Sequence, residues 1–371
     1  ETAVMRSTVD AHVLQAMATA GLVSPPSLPD LLAQLNDESC HHLVAQVLPA
    51  VTILDPNCGA GVLLLIALER LQWVYQTCWE FAQSSSHATL RAWKRAAAVA
   101  ESPQVWWTRQ LLTRSLYGVD VRPEAMITTQ TLLWLKLLSA ASSGAPKPLP
   151  NLDFNITTGN ALIGFIRVDA ESFDKIAPRR SKQAGTADTV LQGNLLQPLM
   201  AASYRDTLAE KQIRVEHYQA QTQAMGTEGG VPEYLQTAFL RDRVEAVNQA
   251  AQQKLDDLLF ETLSRKLGIY IKEPQPSGRY RKRLLTREDV AALTPFHWGF
   301  FFNHIITQGG FDVVLTRSPE TVLRPSADTF YHQHQEWFEQ RQIALSTFRR
   351  SRRQLLQIHP DLANLWAAYA G

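Results

Sequence analysis

Short apolar runs alternate along this chain with longer stretches whose apolar residues recur at helical spacing, which predicts strands followed by helices. The N-terminal stretch to about Val47 reads as amphipathic helix, interrupted at Ser24-Pro25-Pro26. An apolar run, Ala50 to Leu54, follows Pro49 and ends in the turn Asp55-Pro56-Asn57-Cys58-Gly59-Ala60-Gly61. The helical period then holds from Val62 to Phe81. A second strand is expected over Ser115–Val121, with a helix opening at Arg122-Pro123-Glu124, where proline suits the first turn. A third, Phe154–Thr158, closes on Gly159-Asn160-Ala161-Leu162. Strand, glycine turn and helix in this rhythm predict an α/β fold built on a doubly wound sheet.

The rhythm stops between Ala170 and Leu293. Leu196–Met225 and Pro232–Leu267 carry spaced apolar residues among Gln, Ala, Glu and Arg, and predict two long helices in an antiparallel hairpin. The sheet resumes at Gly310–Leu315, and a helix over Tyr331–Gln357 precedes a short last helix, Leu362–Tyr369. The expected organisation is a helical segment (1–47), the first half of an α/β domain (48–169), a helical insertion (170–293), the rest of the sheet (294–330) and C-terminal helices (331–371).

Composition narrows the partners. The chain has 371 residues, is 45% hydrophobic, and balances 36 Lys and Arg against 35 Asp and Glu, as an ordinary globular protein does. The positive charge is clustered, at 179–182, 279–283 and 349–353, which favours a polyanionic partner over what net charge alone predicts. Cys40, Cys58 and Cys78 lack metal-ligand spacing and make an odd count, so reduced thiols in a cytoplasm are expected, with no metal. Cys40-His41-His42 has no second ligand cluster to complete it. No apolar run spans a bilayer, so no membrane partner is expected. The start at Glu1 suggests a preceding segment.

The Asp55–Gly61 turn has a chemical logic. Its two glycines let the backbone approach a ligand at a helix N-terminus, and Asp55 at the strand end can accept from an ammonium group. Asp120, ending the next strand beside Val121, suits the two hydroxyls of a ribose. Asn160 and Ala161, after the third strand, are placed to face an adenine, although for Asn160 taken alone a structural turn or cap is the better explanation.

These segments resemble a known family. Ile53-Leu54-Asp55-Pro56-Asn57-Cys58-Gly59-Ala60-Gly61-Val62 is similar to the S-adenosylmethionine (SAM) motif of adenine-specific DNA methyltransferases of the type I and type IIG restriction–modification class. Leu116-Tyr117-Gly118-Val119-Asp120-Val121 resembles the next motif, and Gly159-Asn160-Ala161-Leu162 belongs to a segment similar to the third. Leu293–Trp298 and Gly310–Leu315 follow in family order. The resemblance, over roughly 45–320, implies SAM as cofactor, DNA as partner and Asp55, Pro56, Cys58, Gly59, Gly61, Asp120, Val121, Asn160 and Ala161 as the cofactor site.

It also implies a catalytic motif after Leu315, normally Asn-Pro-Pro and an aromatic. There the Asn oxygen and a proline carbonyl accept from the amine of a flipped adenine, and the ring stacks on the base. This chain has Arg317, Ser318, Pro319 and Glu320. Arginine offers only donors, and glutamate has no ring face. The usual Tyr-Thr-Pro opening is missing before Asp55, and recognition of a DNA sequence is expected to need another segment or subunit. The leading expectation is a pseudoenzyme: a scaffold or subunit that binds SAM, DNA (through the basic clusters at 279–283 and 349–353) or both, in a restriction or phage-defence assembly of several subunits. One alternative is an active methyltransferase with Glu320 as base. Another is an interaction module that works through its helical hairpin.

Overall fold

The computed structural model describes residues 2–22, 25–100, 102–141, 149–176, 203–224, 231–274, 280–317 and 326–370. The chain divides into two compact units, Glu1–Thr316 and Arg317–Gly371.

The described residues contain six strands: β1 (Ile53–Asp55), β2 (Leu116–Asp120), β3 (Ile156–Thr158), β4 (Tyr270–Pro274), β5 (Tyr280–Leu284) and β6 (Val313–Val314). Four form one sheet in the order β3-β2-β1-β6, with every pair parallel. Side chains alternate across it. Leu54, Tyr117 and Val119 join Phe296, Phe302 and Ile305 in a core on one face. Ile53, Leu116, Ile156 and Val313 belong to the larger core on the other, with Leu64 and Leu68 of the Val62–Ser84 helix and Leu133 of the Pro123–Ser139 helix. With both faces covered, the strands read as short, continuously apolar runs.

The N-terminal Thr2–Thr19 helix packs on the Val62–Ser84 helix, where Arg70 grips Asp10 with two hydrogen bonds of 2.7 and 2.6 Å. Helices Ala88–Ala100 and Pro103–Arg114 fill the interval before β2, for which the sequence pattern gave no expectation. Two long helices, Tyr204–Ala224 and Val231–Glu261, pack on each other through Tyr218, Leu240 and Val244. The second passes into a wide five-residue turn of π-helix, Thr262–Lys266.

Two elements depart from expectation. Where only helix is expected before Leu293, β4 and β5 form an antiparallel ribbon. Both of its faces carry charge, so it lacks the apolar–polar alternation of a half-buried strand. In the second unit, the segment expected as one helix over 331–357 is three: Ala327–Gln333, Gln335–Gln340 and Leu345–Ile358. The chain turns at Gln342, which adopts φ +53°, so that Phe330, Phe338 and Phe348 meet with Leu362 in one aromatic core. Burying those rings outweighs the cost of ending each helix early.

Candidate functional site

Parallel pairing brings the carboxyl ends of β1, β2 and β3 side by side, and with them most of the residues singled out in the sequence. Leu54 lies opposite Tyr117, and Asp120 opposite Thr158. The turn after β1 is tied to β2 at two points: Cys58 N–H donates to the Val119 carbonyl at 3.0 Å, and Gly59 N–H to Asp120 Oδ2 at 2.9 Å. A third tie comes from the next helix, where Thr129 Oγ1 donates to the Gly59 carbonyl at 2.8 Å. Gly59 and Gly61 have φ of +52° and +77°, the left-handed region that favours glycine.

Asp55 is fully buried at the end of β1. Its Oδ1 accepts from Asn57 N–H at 3.1 Å, while Oδ2, also buried, has no hydrogen-bond partner among the described residues. Burial raises its pKa to about 6; the Asn57 hydrogen bond opposes the shift and the charge of Asp120 adds to it. Asp120, also buried, accepts from Gly59 N–H with Oδ2 and from Arg122 N–H with Oδ1, at 2.9 Å each. Oδ1 also meets Arg122 Nε at 3.5 Å, so Oδ2 is the oxygen that keeps lone-pair capacity for a further donor. Pro56 is part-buried and Val121 is exposed at the rim. Cys58 is buried and its thiol is pushed up to about 12, mainly by that burial, so it packs as a small apolar group.

Asn160 and Ala161 follow β3. Asn160 Oδ1 accepts from Leu162 N–H at 3.1 Å, and its own N–H donates to the Thr294 carbonyl at 2.7 Å. The Ala161 carbonyl accepts from Trp298 Nε1 at 3.1 Å. The segment Thr294–Trp298 is thereby fastened to the end of β3.

β6 runs beside β1, and Leu315 N–H donates to the Leu54 carbonyl at 2.8 Å, one residue before Asp55. Thr316 and Arg317 follow and are exposed. Ser318, Pro319 and Glu320 lie outside the described residues. Among the described residues, no group of three or more His, Cys, Asp or Glu side chains is placed to hold a metal ion. No described helix is long and apolar enough to cross a membrane.

The arrangement presents a buried carboxylate oxygen, unpartnered among the described residues, next to a glycine turn, with a second carboxylate on the neighbouring strand. It suits a ligand that brings both a cationic donor and hydroxyl donors. Over an alignment of 289 positions that covers 73% of its length, the chain is 23% identical to a protein of Methanocaldococcus jannaschii provisionally named a type II restriction enzyme and methyltransferase. The chain is similar to a restriction–modification methyltransferase. It spans about a fifth (22%) of that relative's length. No family model and no solved structure matches it.

A set of polar residues that sequence reasoning missed lies beyond β3. A cavity of about 990 Å³ reaches Thr158 and Gly159 and is bordered by Lys211, Gln252, Asp256 and His304 from other elements. Lys211 Nζ donates to the carbonyls of Phe300 and Phe301 at 2.8 and 2.9 Å and lies 4.5 Å from the Phe300 ring centre. Burial pushes its pKa down to about 7. His297 is fully buried: Nδ1 accepts from Phe165 N–H, so Nε2 carries the hydrogen that faces Asp256 Oδ1 at 3.1 Å. These partners are 41 residues apart, and neither has a local motif to mark it.

The basic clusters divide between the units. Cluster 179–182 and Arg279 lie outside the described residues, whereas 280–283 form most of β5. In the second unit Arg349 pairs with Asp328 and Arg352 lies 4.7 Å from the Trp366 ring centre, while Arg350 and Arg353 are exposed.

Proposed function

We propose that this chain is a SAM-binding protein of the adenine-methyltransferase type, catalytically inactive, that serves as a SAM- and DNA-binding subunit of a restriction or phage-defence assembly. The observation that carries the cofactor reading is Asp55 Oδ2, a buried acceptor at the end of β1 without a partner among the described residues. A buried carboxylate oxygen left unpaired costs free energy that a bound cationic donor recovers. SAM supplies an electrophilic methyl group on a sulfonium, together with an ammonium and a ribose. Asp55 would accept from the ammonium, Asp120 from the ribose hydroxyls, and Val121, Asn160 and Ala161 would border the adenine.

The inactivity rests on the chain after β6. A reacting adenine amine needs acceptors that raise the electron density on nitrogen, and Arg317 brings only donors and a positive charge. Glu320 cannot replace an aromatic stacking surface. Retaining the cofactor residues while losing the acceptor position fits a role in binding and assembly. The test is transfer of a radiolabelled methyl group from SAM to mixed genomic DNA, RNA and protein. The expected result is no incorporation above a protein-free blank; incorporation that depends on Glu320 would instead establish an active enzyme.

A further inference from the structure

The β4–β5 ribbon turns two chemically different faces outward and inward. Residues directly opposite in an antiparallel pair share a face. Ile271 lies opposite Arg283, and this face is anchored: Ile271 packs with Leu285 and Val290, and Arg283 forks onto both oxygens of Asp289 at 2.7 and 2.8 Å. Those bonds hold the Asp289 carboxyl well below its usual range. Asp289 in turn belongs to the capping box with Thr286 that starts the Arg287–Ala292 helix.

The opposite face carries Tyr270 opposite Leu284, then Lys272 opposite Lys282, then Tyr280. All five are exposed, with Tyr270 at 54%, Leu284 at 66% and Tyr280 at 70%. Two lysines directly across a ladder repel each other and destabilise the pairing. Neither is part of a salt bridge among the described residues. Two aromatic rings flank the pair, roughly 13 Å apart along the strands by the rise per residue. A face that holds like charges together between exposed rings is complementary to a dense, regular array of negative charge. Duplex DNA, with one charge per ~1.7 Å of helix axis, offers a denser array than a single strand, and a two-stranded ribbon fits its major groove.

We propose that the Tyr270–Lys272–Tyr280–Lys282 face of the β4–β5 ribbon is a duplex-DNA contact, with the two lysines on phosphates and the tyrosines on the flanking backbone and groove wall. The proposal rests on the reading of this chain as a DNA-binding protein and names the surface. β5 leads through the Arg287–Ala292 helix into Thr294, whose carbonyl binds Asn160 N–H, so the ribbon is continuous with the segment fastened at the cofactor end of β3.

The test is fluorescence anisotropy of the whole chain with a labelled mixed-sequence duplex of 30 base pairs (about three helical turns), titrated between 50 and 200 mM salt (a range over which each phosphate contact loses about half a decade of affinity). Lys272→Gln/Lys282→Gln is expected to weaken binding by about ten- to a hundredfold and to lower the log–log salt slope by nearly two. Its melting temperature should not fall, because the repulsive pair is gone. Arg281→Gln removes a charge from the opposite face and is expected to leave the slope within half a unit of wild type. Unchanged affinity and slope in the lysine variant, while the wild type binds, would overturn the ribbon proposal and leave DNA binding to other surfaces. An equal loss in Arg281→Gln would overturn the face assignment. A wild type that binds single-stranded RNA through these lysines and ignores the duplex would overturn the choice of duplex DNA, and one that binds no nucleic acid would overturn the parent reading as well.

Discussion

Thr129 and Gly61 interlock at the base of the candidate cofactor site. Thr129 Oγ1 holds the Gly59 carbonyl at 2.8 Å, and its methyl carbon lies 2.7 Å from where a Cβ on Gly61 would stand. One threonine thus fixes the turn by a hydrogen bond and leaves no room for a side chain two residues on.

Gly61→Ala is therefore expected to cost about 2–5 kcal/mol, the sum of left-handed strain and overpacking. Thr129→Ser removes the methyl and keeps the hydroxyl, so the double variant should recover the overpacking part only. Chemical denaturation of the two variants checks this; equal stability of single and double variants would show that Thr129 does not confine the turn.

Asp55 predicts an unusual pH dependence. Its folded pKa of about 6 lies above the ordinary 3.8, so between those values the folded state binds more protons than the unfolded one. Stability contributed by this residue accordingly rises as pH falls from about 7 to 4, by about 3 kcal/mol in total. Asp55→Asn should remove that dependence. At neutral pH it should leave stability roughly unchanged, because relief of the buried charge offsets an amide N–H left unpaired at about 1–3 kcal/mol. Denaturant midpoints of the two proteins at about pH 4.5 and 7, between which most of that change falls, decide it.

Lys211 acts in the opposite sense at higher pH. Its pKa is pushed down to about 7, against 10.5 for an ordinary lysine, so above neutrality the unfolded state binds the extra proton. Stability from this residue should rise with pH above about 7, before the buried Cys58 thiol and Tyr117 hydroxyl, both pushed up to about 12 by burial, work against it. Lys211→Met should flatten the rise and leave the Phe300 and Phe301 carbonyls without this donor. Denaturation at about pH 7 and 8, below the ordinary thiol value of about 8.5, provides the comparison.

The aromatic core of the second unit predicts a plain packing loss. Phe348 is fully buried between Phe330 and Phe338, and Phe348→Ala should cost about 3–5 kcal/mol. Near-ultraviolet circular dichroism, which reads ordered rings, should lose signal with it.

Strands β1 to β3 and their turns were legible in the sequence because their signals are local. Pro49, the Asp55–Gly61 turn and Pro123 each act within a few residues of the element they punctuate. Asp55 and Asp120 were legible for the same reason, since each ends an apolar run. What failed to show was long-range. Nothing near Lys211 announces the Phe300 carbonyl 89 residues away, and nothing near His297 announces Asp256. The β4–β5 ribbon stayed hidden because its burial is limited to residues such as Ile271, too few to set a period. The three short helices around Phe330 and Phe338 read as one because helical spacing runs on through the break at Gln342.

The most direct test of the cofactor site is calorimetric titration of SAM into the wild type and Asp55→Asn at pH 7.5, with methyl transfer followed on the same samples. Saturable binding by the wild type, at least tenfold weaker binding by the variant (the loss of one charge-assisted hydrogen bond, about 1.5–3 kcal/mol) and no transfer by either are expected. Equal affinity in both proteins, or no binding by the wild type, would contradict the proposed cofactor site.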